Sequence, residues 1–211
     1  MEADWEVEIG AGAPIVEAFW PGFVDLRSAP ERIGEIEEAR QFPKLEEALL
    51  QLNGAASKVR LSTVGDKENE LVWTSKCDTW VLNSLADSNH ANQMDSDEMD
   101  ATPEESVVGI ACYIDLFSRA ENGFSQLEQA EVWVRANVRR LRQIPVRCSR
   151  VDLIVREAVI GERDGFAVTA YVTACGADES AARAAFGNAL AALVDGINGR
   201  MESHLSPVSR R

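Results

Sequence analysis

The 211-residue chain is 45% hydrophobic, enough to bury one large core or two small ones packed together, and as a whole it lacks the composition of a disordered polymer. Its 35 acidic residues against 21 basic ones leave a net charge of −14, which argues against nucleic acid and anionic membrane as partners, since binding a polyanion takes clustered Lys and Arg. No stretch approaches the roughly 18 apolar residues of a membrane span, and the opening MEADWEVEIG lacks the basic and apolar regions of a secretory signal, so a cytoplasmic protein is expected.

Trp5-Glu6-Val7-Glu8-Ile9 alternates apolar with acidic, the two-residue period of a strand with one face in a core and one in water, and predicts an edge strand. After Gly10-Ala11-Gly12 and Pro14, the run through Phe19 and Trp20 leads to Phe23-Val24-Asp25-Leu26, read as a more buried strand. Ser28, Pro30 and Glu31 make a capping box with proline in the first turn, so a helix starts there. Pro43 has no backbone N–H to donate and breaks that helix near Phe42. Its second segment carries a stripe of Leu45, Leu49 and Leu52 and stops at Asn53-Gly54. Two strands are expected at 58–64 and 71–82, joined by the polar turn Gly65-Asp66-Lys67-Glu68-Asn69.

Residues 85–106 are rich in Asn, Asp, Ser and Glu and almost free of large apolar groups, so they read as an acidic flexible linker between a first half, 1–84, and a second, 107–199. The run Val107-Val108-Gly109-Ile110-Ala111-Cys112-Tyr113-Ile114 suits an interior strand. Ser125 with Glu128 forms a second capping box, ahead of a helix whose face is Leu127, Ala130, Val134, Val138 and Leu141 and which ends before Pro145. Residues 150–160 and 166–175 form a hairpin around Gly161-Glu162-Arg163-Asp164-Gly165. Asp178 caps a last helix running through Ala181, Ala185, Leu190, Leu193 and Ile197, whose many alanines point to close packing on a sheet. The tail, 200–211, reads as frayed.

The two halves share an order of elements. Phe23-Val24-Asp25-Leu26-Arg27-Ser28 matches Tyr113-Ile114-Asp115-Leu116-Phe117-Ser118, and Ser57-Lys58-Val59-Arg60-Leu61 matches Ser149-Arg150-Val151-Asp152-Leu153, with a helix between the matched strings in each half. Such a β-α-β-β unit resembles the ferredoxin-like family of split β-α-β folds. The resemblance implies an α+β fold of two ferredoxin-like repeats, forming antiparallel sheets or one continuous sheet, with helices packed on one face and a further C-terminal helix. It implies no activity, because that architecture hosts enzymes, regulators and binding modules alike.

Several residues invite a chemical role. Asp25 and Asp115 hold equivalent places in apolar strands. The plain expectation is that each points to the solvated face by alternation; the functional one is a cation site or acid–base pair between the halves. Trp73, Lys76, Cys77, Asp78 and Trp80 crowd two indoles, an amine, a thiol and a carboxylate into eight residues, either as a half-buried strand or as a binding patch. Lys76 could activate Cys77 as a nucleophile, although such a thiol ordinarily pairs with His, and His90 and His204 lie in the linker and the tail. Cys112, Cys148 and Cys175 fall on or beside strands and could converge in space, with core filling the simpler role. Arg135, Arg139, Arg140, Arg142 and Arg147 gather at a helix C-terminus, where they complement its dipole; Arg139 and Arg142 are candidate contacts for an anion or for the acidic linker.

No C-x-x-C pair, phosphate-binding loop, dinucleotide fingerprint or nucleophile elbow is present, so neither a metal nor a cofactor is expected. The pattern therefore predicts a non-catalytic binding or regulatory protein, such as an inhibitor or immunity-type protein for a basic partner. The alternative is an enzyme of unfamiliar type, with a carboxylate-containing cleft between the two halves.

Overall fold

The computed structural model describes residues 1–10, 15–16, 24, 26, 29–53, 71–73, 79–82, 108–118, 124–160 and 163–198. In chain order these form β1 (Glu2–Glu8), β2 (Ile15–Val16), a 3-10 turn (Pro30–Glu35), α1 (Glu37–Gln41), α2 (Pro43–Asn53), β3 (Leu71–Trp73), β4 (Thr79–Leu82), β5 (Val108–Ser118), α3 (Leu127–Leu141), β6 (Ser149–Ile160), β7 (Arg163–Gly176) and α4 (Glu179–Ile197). The fold is α+β. Strands from both halves join one mixed sheet in the order β1-β6-β7-β5-β3, with β2 also paired to β6 and β4 also paired to β5. β1 and β2 run parallel to β6, and the remaining pairs are antiparallel. Since β5 and β6 each run antiparallel to the β7 between them, β5-α3-β6 is a β-α-β crossover split by one strand.

The strand period decides what faces the helices. Ile110, Cys112, Ile114 and Leu116 of β5, Val151, Leu153 and Val155 of β6, and Val168, Ala170, Val172 and Ala174 of β7 are buried in one apolar cluster with Val134, Val138, Phe186, Leu190 and Leu193 of the helices. Each fully buried aliphatic side chain here contributes about 1.5–3 kcal/mol of burial. α3 lies over β1, β6 and β7, α4 over β7 and β5, and α2 packs beside α4. Among the described residues no helix is long and apolar enough to cross a membrane.

Local signals in the sequence place most of the helices. α1 ends and α2 begins at Pro43, and Leu45, Leu49 and Leu52 are buried. The backbone bonds of this corner are rearranged, with the Leu45 N–H donating to Phe42 O and so leaving Gln41 O without its helical donor. Arg183 of α4 supplies the substitute by donating from Nη1 to Gln41 O at 3.1 Å. Asp178 caps α4, its Oδ1 accepting from the Ala181 N–H at 2.8 Å.

Other expectations change. Val24 and Leu26 are buried and belong to no strand, and Leu26 sits in a turn; Phe23, Asp25, Arg27 and Ser28 lie outside the described residues. The helix expected after Ser28 opens as the 3-10 turn at Pro30, with Ala29 at its N-terminus and no side-chain cap. Of the strand expected across 71–82 the described ends, β3 and β4, both pair antiparallel with β5, and residues 74–78 lie outside the described residues. α3 starts one residue later than a Ser125 cap requires, and Gln129 Oε1 accepts from both the Gln126 N–H and the Ser125 hydroxyl. The β6–β7 hairpin is tighter than expected, pairing Ile160 with Arg163 so that Arg163, Asp164 and Gly165 belong to the strand. α4 buries Ala182, Phe186, Ala189, Leu190 and Leu193, leaving Ala181 exposed and Ala185 half-buried. The strand at 58–64, the linker and the tail lie outside the described residues.

Candidate functional site

With the helices on one side, the other sheet face carries the alternate residues. On β1, Ala3, Trp5 and Val7 turn to the core, which leaves Glu2, Asp4, Glu6 and Glu8 on the opposite face. The parallel register sets Glu2 against Arg150, Asp4 against Asp152 and Glu8 against Arg156. Asp152 in turn pairs with Tyr171 of β7, and Tyr171 with Tyr113 of β5, so Asp4, Asp152, Tyr171 and Tyr113 form one row across four strands. The two tyrosine rings lie 5.9 Å apart at 43°.

Like charges directly opposed in a sheet are unfavourable, and the Asp4–Asp152 juxtaposition is offset by arginines on both sides. Arg150 Nε donates to both Asp152 carboxylate oxygens, at 3.0 and 2.8 Å, and this bond, above all other influences, raises the arginine pKa. Arg142 Nη2 lies 3.5 Å from Asp4 Oδ1 and its Nε donates to Ala3 O at 2.7 Å. Arg156 Nη2 donates to Glu8 Oε2 at 2.6 Å and to the Tyr171 hydroxyl at 3.4 Å. Burial, the largest single influence on Arg156, works against its charge, but Tyr171 and Glu8 together outweigh it and raise the pKa. Glu2 and Glu6 are exposed and carry no ion pair among the described residues.

Asp115 stands on this face, as alternation requires, yet it is 6% exposed and not solvated as the plain sequence reading expects. Thr169, opposite it on β7, donates its hydroxyl to Asp115 Oδ1 at 2.6 Å. Phe117, Ala167 and Ile154 on the same face are buried too. Thr169→Val keeps the shape and removes the donor, and is expected to destabilise the protein by about 1–3 kcal/mol, the cost of leaving a buried acceptor short of a partner. A urea titration in which the midpoint does not move would show that this bond contributes nothing to stability.

The remaining sequence candidates are distributed as follows. Asp25, Lys76, Cys77 and Asp78 lie outside the described residues. The backbone of Trp73 pairs with Leu116 and that of Trp80 with Ala111, which puts both on strands beside β5. Arg139 is exposed on α3, whereas Arg142 ties α3 to β1. Two more members of the arginine cluster are also structural: Arg140 Nη1 donates to Gly196 O of α4 at 3.4 Å, and Arg135 pairs with Glu131 while its guanidinium sits 4.8 Å from the Trp5 ring centre. Among the described residues no three of His, Cys, Asp and Glu gather to hold a metal ion.

One feature escapes sequence reasoning almost entirely. A groove of about 680 Å³ runs between α4 and residues 144–148, lined by small residues including Ala177, Ala181 and Ala185, with Arg147, Cys148 and Cys175 at one end. Cys112, by contrast, is in the helix-side core, three residues along the β7 register from Cys175. No protein-family model, curated protein or solved structure matches the chain.

Proposed function

We propose that the protein is a non-catalytic binding or regulatory protein, and that the sheet face around Asp4, Asp152, Tyr171 and Tyr113 receives a basic protein partner. The single observation that carries this reading is the combination, on one sheet face, of the β1 carboxylates with two half-buried tyrosine rings in the same cross-strand row. Carboxylates pair with Lys and Arg, and an aromatic face attracts the same cations, so the surface discriminates by charge and by shape. β1 is an edge strand among the described residues, so an extended basic segment has backbone donors and acceptors to pair with as well. The net charge of −14 steers such a partner from a distance. An inhibitor or immunity-type protein that masks a basic toxin or nuclease, acting in the cytoplasm, is the concrete form of the proposal. The two ferredoxin-like repeats belong to it as well, supported by the split crossover in the second half.

Affinity capture from host extract at about 0.1 M salt, with a parallel wash near 1 M where screening is nearly complete, tests this. The wild-type chain is expected to retain a protein of isoelectric point above about 9 at low salt only. The purified partner is then expected to bind Glu2→Lys/Glu6→Lys at least tenfold more weakly, and Tyr171→Leu more weakly as well. Failure to retain a basic partner, or equal binding by the charge-reversed variant, would overturn the reading.

A further inference from the structure

The Cys148–Cys175 end of the groove has a geometry that neither residue has alone. Ser149 and Ala174 are the last pair at the open end of the β6–β7 hairpin, so Cys148 and Cys175 are the next two residues opposed, and the Cys175 N–H donates to Cys148 O at 2.9 Å. Opposed residues of an antiparallel pair hold their Cα atoms about 4.5–5.5 Å apart, inside the roughly 4.4–6.8 Å that a disulfide tolerates. The two thiols are near enough that Cys148 raises the pKa of Cys175. Their access differs: Cys148 is exposed and Cys175 is buried. Cys148 also holds a left-handed backbone, φ 54°, a conformation costly for a non-glycine residue unless its surroundings impose it.

We propose that Cys148 and Cys175 are a reversible dithiol–disulfide site, oxidised by a low-molecular-weight disulfide such as glutathione disulfide that reaches Cys148 along the groove. The alanine-lined walls leave room for a tripeptide-sized reagent beside the exposed thiol. In the first step the Cys148 thiolate attacks one sulfur of glutathione disulfide. The Cys148–glutathione bond forms, the reagent's sulfur–sulfur bond breaks, and one glutathione leaves and takes up the proton that Cys148 gave. In the second step the Cys175 thiolate attacks Cys148 Sγ, closing the protein disulfide and releasing the second glutathione, which takes the Cys175 proton. Two protein thiols are thereby oxidised by two electrons, and one external disulfide is reduced to two thiols.

In the reduced pair burial, with the neighbouring Cys148 adding to it, pushes the Cys175 thiol up to about 11. Burial, the larger cause, persists in the mixed disulfide, so the second step is the slow one near neutrality and its rate is expected to rise with pH, because only the thiolate attacks. The closed bond ties Cys148 to the end of β7, three residues before the Asp178 cap of α4.

The test treats the full, reduced chain with glutathione disulfide in mildly alkaline buffer and follows intact mass and non-reducing peptide maps. Wild type is expected to lose two of its four thiols and yield a Cys148–Cys175 linked peptide without a lasting adduct. Cys175→Ala should hold one glutathione on Cys148, and Cys148→Ala should do neither. Excess reduced glutathione should reopen the bond. A lasting adduct on wild-type Cys148, a cross-link to Cys77 or Cys112 instead, no reaction at Cys148, a flat pH profile for closure, or a bond that reduced glutathione cannot open would each overturn the proposal. All of the wild-type readouts remain decisive if a variant folds poorly.

Discussion

Phe186→Ala is expected to lower the free energy of unfolding by about 3–5 kcal/mol, seen as a drop in the urea midpoint at unchanged slope. Phe186 is 1% exposed on the buried side of α4, and its ring meets that of Phe42 edge-on, with centres 5.8 Å apart at 71°. Phe42 is the residue at which Pro43 ends α1, so the contact locks the α1–α2 corner to α4. Arg183, three residues earlier in α4, reinforces the lock: its guanidinium carbon lies 4.6 Å from the Phe42 ring centre while Nη1 satisfies Gln41 O. Truncation removes the buried ring area, the edge-to-face term of about 0.5–1.5 kcal/mol, and the surface that holds Phe42 in place. Phe186→Leu restores most of the volume and should cost less than half as much. A loss below about 1 kcal/mol for the alanine variant would mean that α2 collapses into the vacated space, contrary to a corner held rigid by Pro43 and Arg183.

Gly176→Ala is the second large effect, and its sign is the informative part. Adding a methyl group within a strand ordinarily stabilises, because alanine loses less backbone entropy than glycine on folding. Here a Cβ would collide with Ala182 N and stand 2.6 Å from both the carbonyl carbon and Cβ of Ala181. Those atoms are the first turn of α4, which cannot retreat without giving up its cap, since Asp178 holds both the Ala181 and the Ala182 N–H groups. Overpacking of this kind costs about 1–3 kcal/mol or more, which for a chain of this length is a fall in melting temperature of roughly 2–12 °C. Gly34 is the control: a Cβ there meets nothing within 4 Å, and Gly34→Ala should leave the melting temperature unchanged or slightly raised. An unchanged melting temperature for Gly176→Ala would mean that the strand end and the helix start are not in the contact described.

What the sequence reveals and what it hides divide along the range of the interactions. Asp178, Pro43 and the α3 face act within a few residues, and the cap, the break and the buried stripe appear where the pattern puts them. Strand partners depend on residues far apart, and there the reading fails by specific amounts. The alternation in Phe23-Val24-Asp25-Leu26 is what a strand needs, but Val24 and Leu26 are buried outside any strand, Leu26 in a turn. Closing the β6–β7 hairpin with five residues would have set Ile160 against Phe166 and Cys148 against Asp178. The tighter turn moves β7 by three places and brings the two cysteines together, so a pair that the composition only allows to converge is created by a register the turn residues do not specify. Asp115 shows the same limit. Alternation fixes its face, whereas its burial beside Thr169 depends on neighbours that the pattern does not identify.

The parallel pairing of β1 with β6 imposes an order on the birth of the fold. Glu8 meets Arg156, a partner 148 residues further along, so β1 is made well before the strand that covers it. At about 5–20 residues per second this leaves the segment waiting on the ribosome for roughly 7–30 s with both hydrogen-bonding edges bare. Four carboxylates spaced along it repel other copies of the same nascent segment during that interval, so the acidity of this strand guards against misassembly before it can serve any partner.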